Sequence, residues 1–274
     1  MQLVQLQKAK ERFEAQGLKL AAISYDSRAI LKEFAERMKI DYPLLSDPES
    51  VVIRRFHVLN EKAVGINKGM ALPGFFYIDK SGVIREKYFE VSYADRFTPN
   101  NVIAKLFPEL TVEVGQNVDA PHLEVELAQS DRTVIPGNRL SLTVEVQLPP
   151  NMHVYAPGVK GYKPIQLTVQ PSPEIRLASL SYPVEKTLYL EAIKEQVPVF
   201  TGEFRIVQDI RITASRAMTE WLGTMGKRIQ VNGELRYQAC DNTICYPPAS
   251  VPVSWQLQVL PPDEERSPEA IRHK

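Results

Sequence analysis

The chain has 274 residues, 44% hydrophobic and 24% charged, which is long enough for two domains and ordinary for a globular protein. Thirty-three lysines plus arginines balance 33 aspartates plus glutamates, so no global field draws the chain to nucleic acid or to an anionic membrane. No apolar run approaches the ~18 residues of a spanning helix, which argues against membrane insertion. The first residues show helical periodicity rather than the basic, apolar and cleavable blocks of an export signal.

Residues 1 to about 107 alternate helix and strand. The pattern predicts a helix near 2–15, a buried strand over 18–24 and a helix near 27–39. Ser46, Asp47, Pro48 and Glu49 then supply the oxygen acceptors and the proline that begin a short helix. Strand-like runs at 74–79 and 83–88 flank Lys80, Ser81 and Gly82, a tight turn, and Thr98-Pro99 opens a last helix ending near Phe107. From about residue 119 the period changes to two. Leu140, Leu142, Val144, Val146 and Leu148 would share one face of a strand, and further alternating runs lie at 123–127, 165–169, 204–212, 229–239 and 251–259. Proline-rich turns at 136–138, 149–151 and 171–173 separate them, as in a sandwich of two sheets. The expected division is an α/β domain over 1–110, an all-β domain over 119–260 and a loose, proline-rich tail over 261–274.

The chain contains two cysteines, Cys240 and Cys245, with four residues between them. Alternation ends at the first, a turn-forming Asp241-Asn242 follows, and two prolines come after the second, so a disulfide at a hairpin tip fits. Closing so small a ring stabilises the fold by only about 2 kcal/mol, whereas an exposed, strained bridge is readily exchanged. Spacing alone leaves a plain structural disulfide, two unrelated thiols and a redox pair all open.

Tyr237-Gln238-Ala239-Cys240 followed by Cys245-Tyr246-Pro247-Pro248 resembles the active-site segment of the N-terminal, immunoglobulin-like periplasmic domain of the disulfide reductase DsbD. The resemblance covers roughly residues 119–260 and includes Asn151-Met152-His153-Val154-Tyr155-Ala156-Pro157. It implies a redox-active pair in which Cys245 forms the mixed disulfide and Cys240 resolves it, thioredoxin-like redox proteins as partners, and a periplasmic or cell-envelope location. It also implies a cap loop bearing an aromatic residue, corresponding to residues 189–200. Tyr237, Gln238, Asp241, Tyr246 and Pro247 would support the pair. His153 and Tyr155, two apart on a strand, either line the redox surface or are solvated. The loop between the cysteines is one residue shorter than in the best-known members of the family. Asp241 should oppose a thiolate and Arg236 favour one.

Ala22-Ile23-Ser24-Tyr25-Asp26-Ser27, Tyr42-Pro43-Leu44-Leu45-Ser46-Asp47-Pro48-Glu49 and the stretch from Pro73 to Ile84 resemble, in order, the peroxiredoxin (AhpC/TSA) branch of the thioredoxin fold. By that resemblance Pro73 occupies the cis-proline position beside an active site; the alternative is an ordinary proline at a strand start. The peroxidatic cysteine and the central strand before the helix at 2–15 have no counterpart here. No peroxidase activity is therefore expected of this chain alone, and the sheet must close differently or have its gap filled by something else. The natural protein is expected to continue upstream of Met1.

The fold class expected is thus an incomplete thioredoxin-like α/β domain followed by an immunoglobulin-like β-sandwich. The leading function is thiol–disulfide exchange; the competing ones are a binding protein with a structural disulfide and a fragment of a peroxiredoxin-type antioxidant enzyme whose peroxidatic cysteine lies upstream. His57, His122, His153 and His273 have no zinc spacing with the cysteines, so neither a metal nor another cofactor is expected. Asp26, Asp47 and Asp79 read as turn or cap residues, and Trp221 and Trp255 as core packing.

Overall fold

The computed structural model describes residues 2–90, 92–110, 115–190, 194–241, 243–262 and 268–271. Most of the expected tail, His273 and residues 191–193 of the expected cap stretch fall outside them.

Helix α1 (Gln2–Ala15) buries Leu6, Ala9 and Phe13, which recur on one side of the helix as a 3.6-residue period requires. Strand β1 (Ala22–Ser24) leads to α2 (Arg28–Met38), capped by the Ser27 hydroxyl accepting from the Ile30 amide, and then to β2 (Leu44–Ser46). Helix α3 (Val51–Arg55) begins two residues later than its acceptor-rich start suggests. The Asp47 carboxylate reaches forward to take the Val51 and Ile53 amides. Strands β3 (Gly74–Ile78) and β4 (Ile84–Phe89) form the expected hairpin, closed where Asp79 accepts from the Ser81 and Val83 amides. Strand β5 (Arg96–Phe97) precedes α4 (Pro99–Leu106), whose cap is Thr98.

Two expectations, the buried strand and the cis-proline, need correction, while the gap expected where the central strand is missing is present. The strand expected to be buried over 18–24 is only three residues long and pairs with β2 alone, which leaves Ile23 and its partner Leu45 exposed on one face. Sheets β1–β2 and β3–β4 are separate, so the α/β segment has no continuous central sheet among the described residues. No cis peptide occurs among the described residues, so Pro73 is a trans proline that opens β3, a place where its missing N–H costs nothing.

The remainder is a β-sandwich. Strands β6 (Gln116–Val118), β7 (Glu124–Gln129), β8 (Thr133–Val134), β9 (Asn138–Gln147), β10 (His153–Tyr155), β11 (Gln166–Val169) and β12 (Ile175–Ser181) come first. They are followed by β13 (Lys186–Leu190), β14 (Glu195–Thr201) and β15 (Glu203–Ile212). Helix α5 (Arg216–Leu222), β16 (Lys227–Tyr237), β17 (Ala239–Cys240) and β18 (Ala249–Val259) come last among the described strands and α-helices. One sheet runs β12-β15-β9-β7-β6, a second β11-β16-β18-β8, and a third, smaller sheet β13-β14-β10-β17 closes one end. The alternating residues read from β9 are all inside: Leu140, Leu142, Val144 and Val146 are fully buried. Trp255 belongs to this core and donates its indole N–H to the Ala128 carbonyl. Trp221 does not; it sits half-exposed on α5 beneath the Lys227 ammonium, 4.6 Å from the ring centre.

The outward face of β9 and β15 is covered at its middle, where Ser141 and Asp209 are buried. Strand β5 pairs with the start of β9, and α4 lies across the sheet. Lys105 of α4 reaches the buried Asp209 at 2.9 Å, Arg139 reaches the same carboxylate at 2.8 Å, and the Ser141 hydroxyl donates to its other oxygen at 2.7 Å. Glu90 joins the network through Arg139 and Arg211. Gly137, at φ +85°, lets the Ala94 carbonyl come so close that a Cβ would lie 1.9 Å from its oxygen.

Asp209→Ala should lower the unfolding free energy by about 3 kcal/mol in urea titrations at pH 7, because it strands Lys105 in a half-buried place and leaves Arg139 with Glu90 as its ion-pair partner. Burial works against the Asp209 charge, but its cationic and hydroxyl partners prevail and hold its pKa below the ordinary value. Its contribution is therefore complete above the unfolded-state pKa and disappears as pH falls through the lower folded value. Wild type and variant should converge in strong acid; a constant gap from pH 7 to pH 2 contradicts the assignment.

Candidate functional site

Both cysteines sit on a hairpin that leaves the end of β16. Cys240 is the last residue of β17, and Asp241 N–H to Ile244 carbonyl and Tyr246 N–H to Ala239 carbonyl hydrogen bonds, each 2.9 Å, fold the chain back so that Cys245 faces it. The two sulfurs are disulfide-bonded. Their surroundings differ. Cys240 is fully buried, packed with Tyr155, Val197 and Val199 in a small apolar cluster, whereas Cys245 is exposed.

The Asp241 carboxylate holds the loop. One oxygen accepts from the Thr243 amide, the Thr243 hydroxyl and the Ile244 amide at 2.7–2.8 Å, and the other from the Tyr246 hydroxyl at 3.1 Å. The Thr243 hydroxyl and these amides press its pKa well below the usual carboxylate range, and the same carboxylate raises that of Tyr246. The Tyr246 ring stacks on His122 with centres 3.9 Å apart. Gln238 donates to the Tyr246 carbonyl, and the buried Tyr237 donates to the Pro121 carbonyl, its phenol pushed up to about 12 by burial. Pro247 is exposed and continues the chain toward β18.

Strand β10 supplies the other wall. It pairs antiparallel with β17 on one side and β14 on the other, so His153 stands opposite Cys240 and Thr201. His153 and Tyr155 do share a face, as their spacing requires, and both are buried rather than solvated. The Tyr155 hydroxyl lies 3.7 Å from the Cys245 sulfur; a disulfide sulfur has no proton, so the hydroxyl is the donor. Burial raises the Tyr155 pKa and lowers that of His153, in the latter case against the Asp241 charge.

The structure therefore gathers Cys240, Cys245, Tyr237, Gln238, Asp241, Tyr246, His153 and Tyr155 at one end of the sandwich, with Pro247 beside them. Pro73 lies in the α/β segment and shares no hydrogen bond or ring contact with this group among the described residues. Arg236, set against Asp241 in the sequence, is ion-paired with Glu234 at 2.6 Å instead. Of the expected cap stretch, Leu190 on β13 and Val197 and Val199 on β14 pack around Cys240, joined by Leu188 just before it, while Tyr189 points outward. The aromatic ring over Tyr155 is one that sequence reasoning missed. Tyr162, from the loop between β10 and β11, stacks on it at 4.3 Å and donates to the Glu195 carboxylate at 3.0 Å. Its signal was a lone aromatic between Gly158, Gly161 and Pro164, which reads locally as a turn. Among the described residues no three His, Cys, Asp or Glu side chains cluster to hold a metal.

The fold and this hairpin define a thioredoxin-like α/β segment joined to an immunoglobulin-like sandwich with a disulfide at its end. Residues 1–87 match the model of the AhpC/TSA family, and residues 122–254 match the model described as the N-terminal part of thiol:disulfide interchange protein DsbD. Each match covers less than half of the chain, so the likeness holds part by part: the first part is similar to the AhpC/TSA family and the second to the DsbD N-terminal domain. Over 88 residues, 31% of this chain, it is 30% identical to alkyl hydroperoxide reductase C of Staphylococcus haemolyticus strain JCSC1435, and spans 44% of that protein. The N-terminal periplasmic domain of ScsB from Proteus mirabilis is 15% identical with a TM-score of 0.36, covering 52% of this chain and 49% of that one. The reduced N-terminal domain of Neisseria meningitidis DsbD is 14% identical with a TM-score of 0.30, covering 57% and 94%.

The depressed Asp241 pKa means that the ordering of the loop by its charge persists above the folded-state value and is lost only as pH falls through it. Protection of the Thr243 and Ile244 amides against hydrogen exchange, corrected for intrinsic rates, should therefore be unchanged from pH 7 to pH 4 and drop in Asp241→Ala. Equal protection in wild type and variant would count against a loop held by this carboxylate.

Proposed function

We propose that the chain is a thiol–disulfide oxidoreductase in which Cys240 and Cys245 carry two electrons to or from a thioredoxin-like protein. The working unit is the sandwich of residues 119–260. Residues 1–110 form a docked companion domain and 261–274 a tail. The observation that carries this reading is the unequal burial of one bonded pair: a foreign thiolate can reach Cys245 but not Cys240.

An incoming thiolate attacks the Cys245 sulfur in line with the bridge, a mixed disulfide forms, and Cys240 leaves with the electron pair. In the reverse direction Cys240 attacks the mixed disulfide and releases the partner. The Tyr155 hydroxyl, a neutral donor at physiological pH because burial raises its pKa, faces the sulfur that changes partners. The AhpC/TSA segment has no cysteine, so all thiol chemistry of this chain falls to the sandwich. The DsbD-type match and the name of the ScsB relative support a bacterial envelope location, where disulfides persist and exchange serves redox homeostasis.

Cys240→Ala should trap a thioredoxin-like partner as a mixed disulfide on non-reducing gels, and Cys245→Ala should not. In the reduced wild type, a maleimide should label Cys245 at least about tenfold faster than Cys240, because enclosure limits access to the second thiol. If Cys240→Ala traps nothing while the wild-type bridge resists mild reductant, the disulfide is structural and the proposal fails.

A further inference from the structure

His153 is a buried titratable group to which the exchange chemistry has so far given no part. Its side chain is 2% exposed, and its Nε2 has no hydrogen-bond partner among the described residues. A buried nitrogen left unpaired is costly, which points to another state of the molecule in which it is paired. The β10–β17 register places it directly opposite Cys240. Residues so opposed project from the same face with Cβ atoms roughly 4.5–5.5 Å apart, so the imidazole and the enclosed sulfur are neighbours.

Other groups face this histidine from each adjoining element. Tyr155, on its own strand, packs edge-on with ring centres 5.4 Å apart. Beyond Cys240, Asp241 places a negative charge that favours the imidazolium. On the β14 side stands Thr201, whose hydroxyl accepts from Lys186 of β13 at 3.2 Å. Burial outweighs the Asp241 charge, so the imidazole is neutral at physiological pH and can accept a proton. Asp241 is poorly suited to that task, since the donors around its carboxylate favour the charged form.

Resting on the exchange reading above, we propose that His153 is the base that takes the proton from Cys240 when Cys240 resolves a mixed disulfide at Cys245. The Cys240 thiol gives its proton to Nε2, and the resulting thiolate attacks the Cys245 sulfur. The Cys240–Cys245 bond forms as the bond from Cys245 to the partner breaks. The partner's sulfur leaves with the electron pair and is protonated by the imidazolium or by water. The pair is oxidised by two electrons, and the partner is reduced by two. A thiol enclosed by Val197, Val199 and Tyr155 ionises reluctantly by itself, which is why the step calls for a base.

Ellman's reagent separates the two steps. Mixed with fully reduced protein in a stopped-flow cell, it releases one thionitrobenzoate when Cys245 attacks and a second when Cys240 resolves the adduct. In His153→Gln and His153→Phe the first phase should stay within about twofold of wild type, whereas the second should slow at least about tenfold at neutral pH. In wild type the second phase should slow as pH drops, with an inflection below the ordinary histidine pKa; in the variants its logarithm should change linearly with pH and show no such inflection. Wild-type second phases in both variants, with melting curves and near-ultraviolet spectra like those of wild type, would overturn the assignment. If neither variant folds, the wild-type profile decides: an inflection below the ordinary histidine pKa supports the inference, and a log-linear profile sinks it. Cys240→Ala serves as the control on the underlying reading. Loss of its first phase would defeat exchange at Cys245 itself, whereas a persistent first phase with an unaffected second phase in the His153 variants would defeat only the role of His153.

Discussion

A hairpin closed by one carboxylate is the constraint on which the site depends. Asp241 binds both arms of the loop, and the backbone bonds on either side of it bring Cys245 back opposite Cys240. The strand that ends in Cys240 is also stitched into the third sheet, which fixes that sulfur against an apolar wall, while the returning arm has no strand beyond it in that sheet among the described residues. One short turn thus creates the bond and gives its two ends different surroundings. The chemistry of the pair follows from that difference more than from the bond.

The second constraint lies on the far side of the large sheet. The face of β9 and β15 that points away from the core carries Arg139, Ser141, Asp209 and Arg211, and the α/β segment lies upon it. This contact consists of charge pairs and hydroxyls, with Phe97 under the Arg139 guanidinium as one of its apolar components. Each charge meets an opposite one, which offsets the loss of water on burial without making the contact strongly adhesive. The α/β segment keeps its own core around α1 and α4, so the two cores meet across a polar seam.

Much of this architecture was legible because its signals are local. Alternation in β9 announced an inside face, Thr98 announced a helix start, and Asp79 announced a turn, each within a few residues of the feature it controls. The cysteines, His153 and Tyr155 were legible through spacing and resemblance. What failed to show depends on partners distant in sequence. Nothing near Asp209 tells that α4 covers it, and nothing near Tyr162 tells that its ring will meet Tyr155. Trp221 reads as core by composition, yet α5 turns it outward beside Lys227. The strand at 18–24 looks buried because its residues are apolar, but burial requires a second neighbour, and β1 has only β2.

The polar seam bears on how the two parts can separate. A sheet face dressed in arginine, serine and aspartate exchanges one set of partners for water when uncovered, so the sandwich without its companion would present a wettable surface rather than a sticky one. A duplicated or shuffled gene could therefore carry this β-domain into other neighbours with little risk of aggregation through that face.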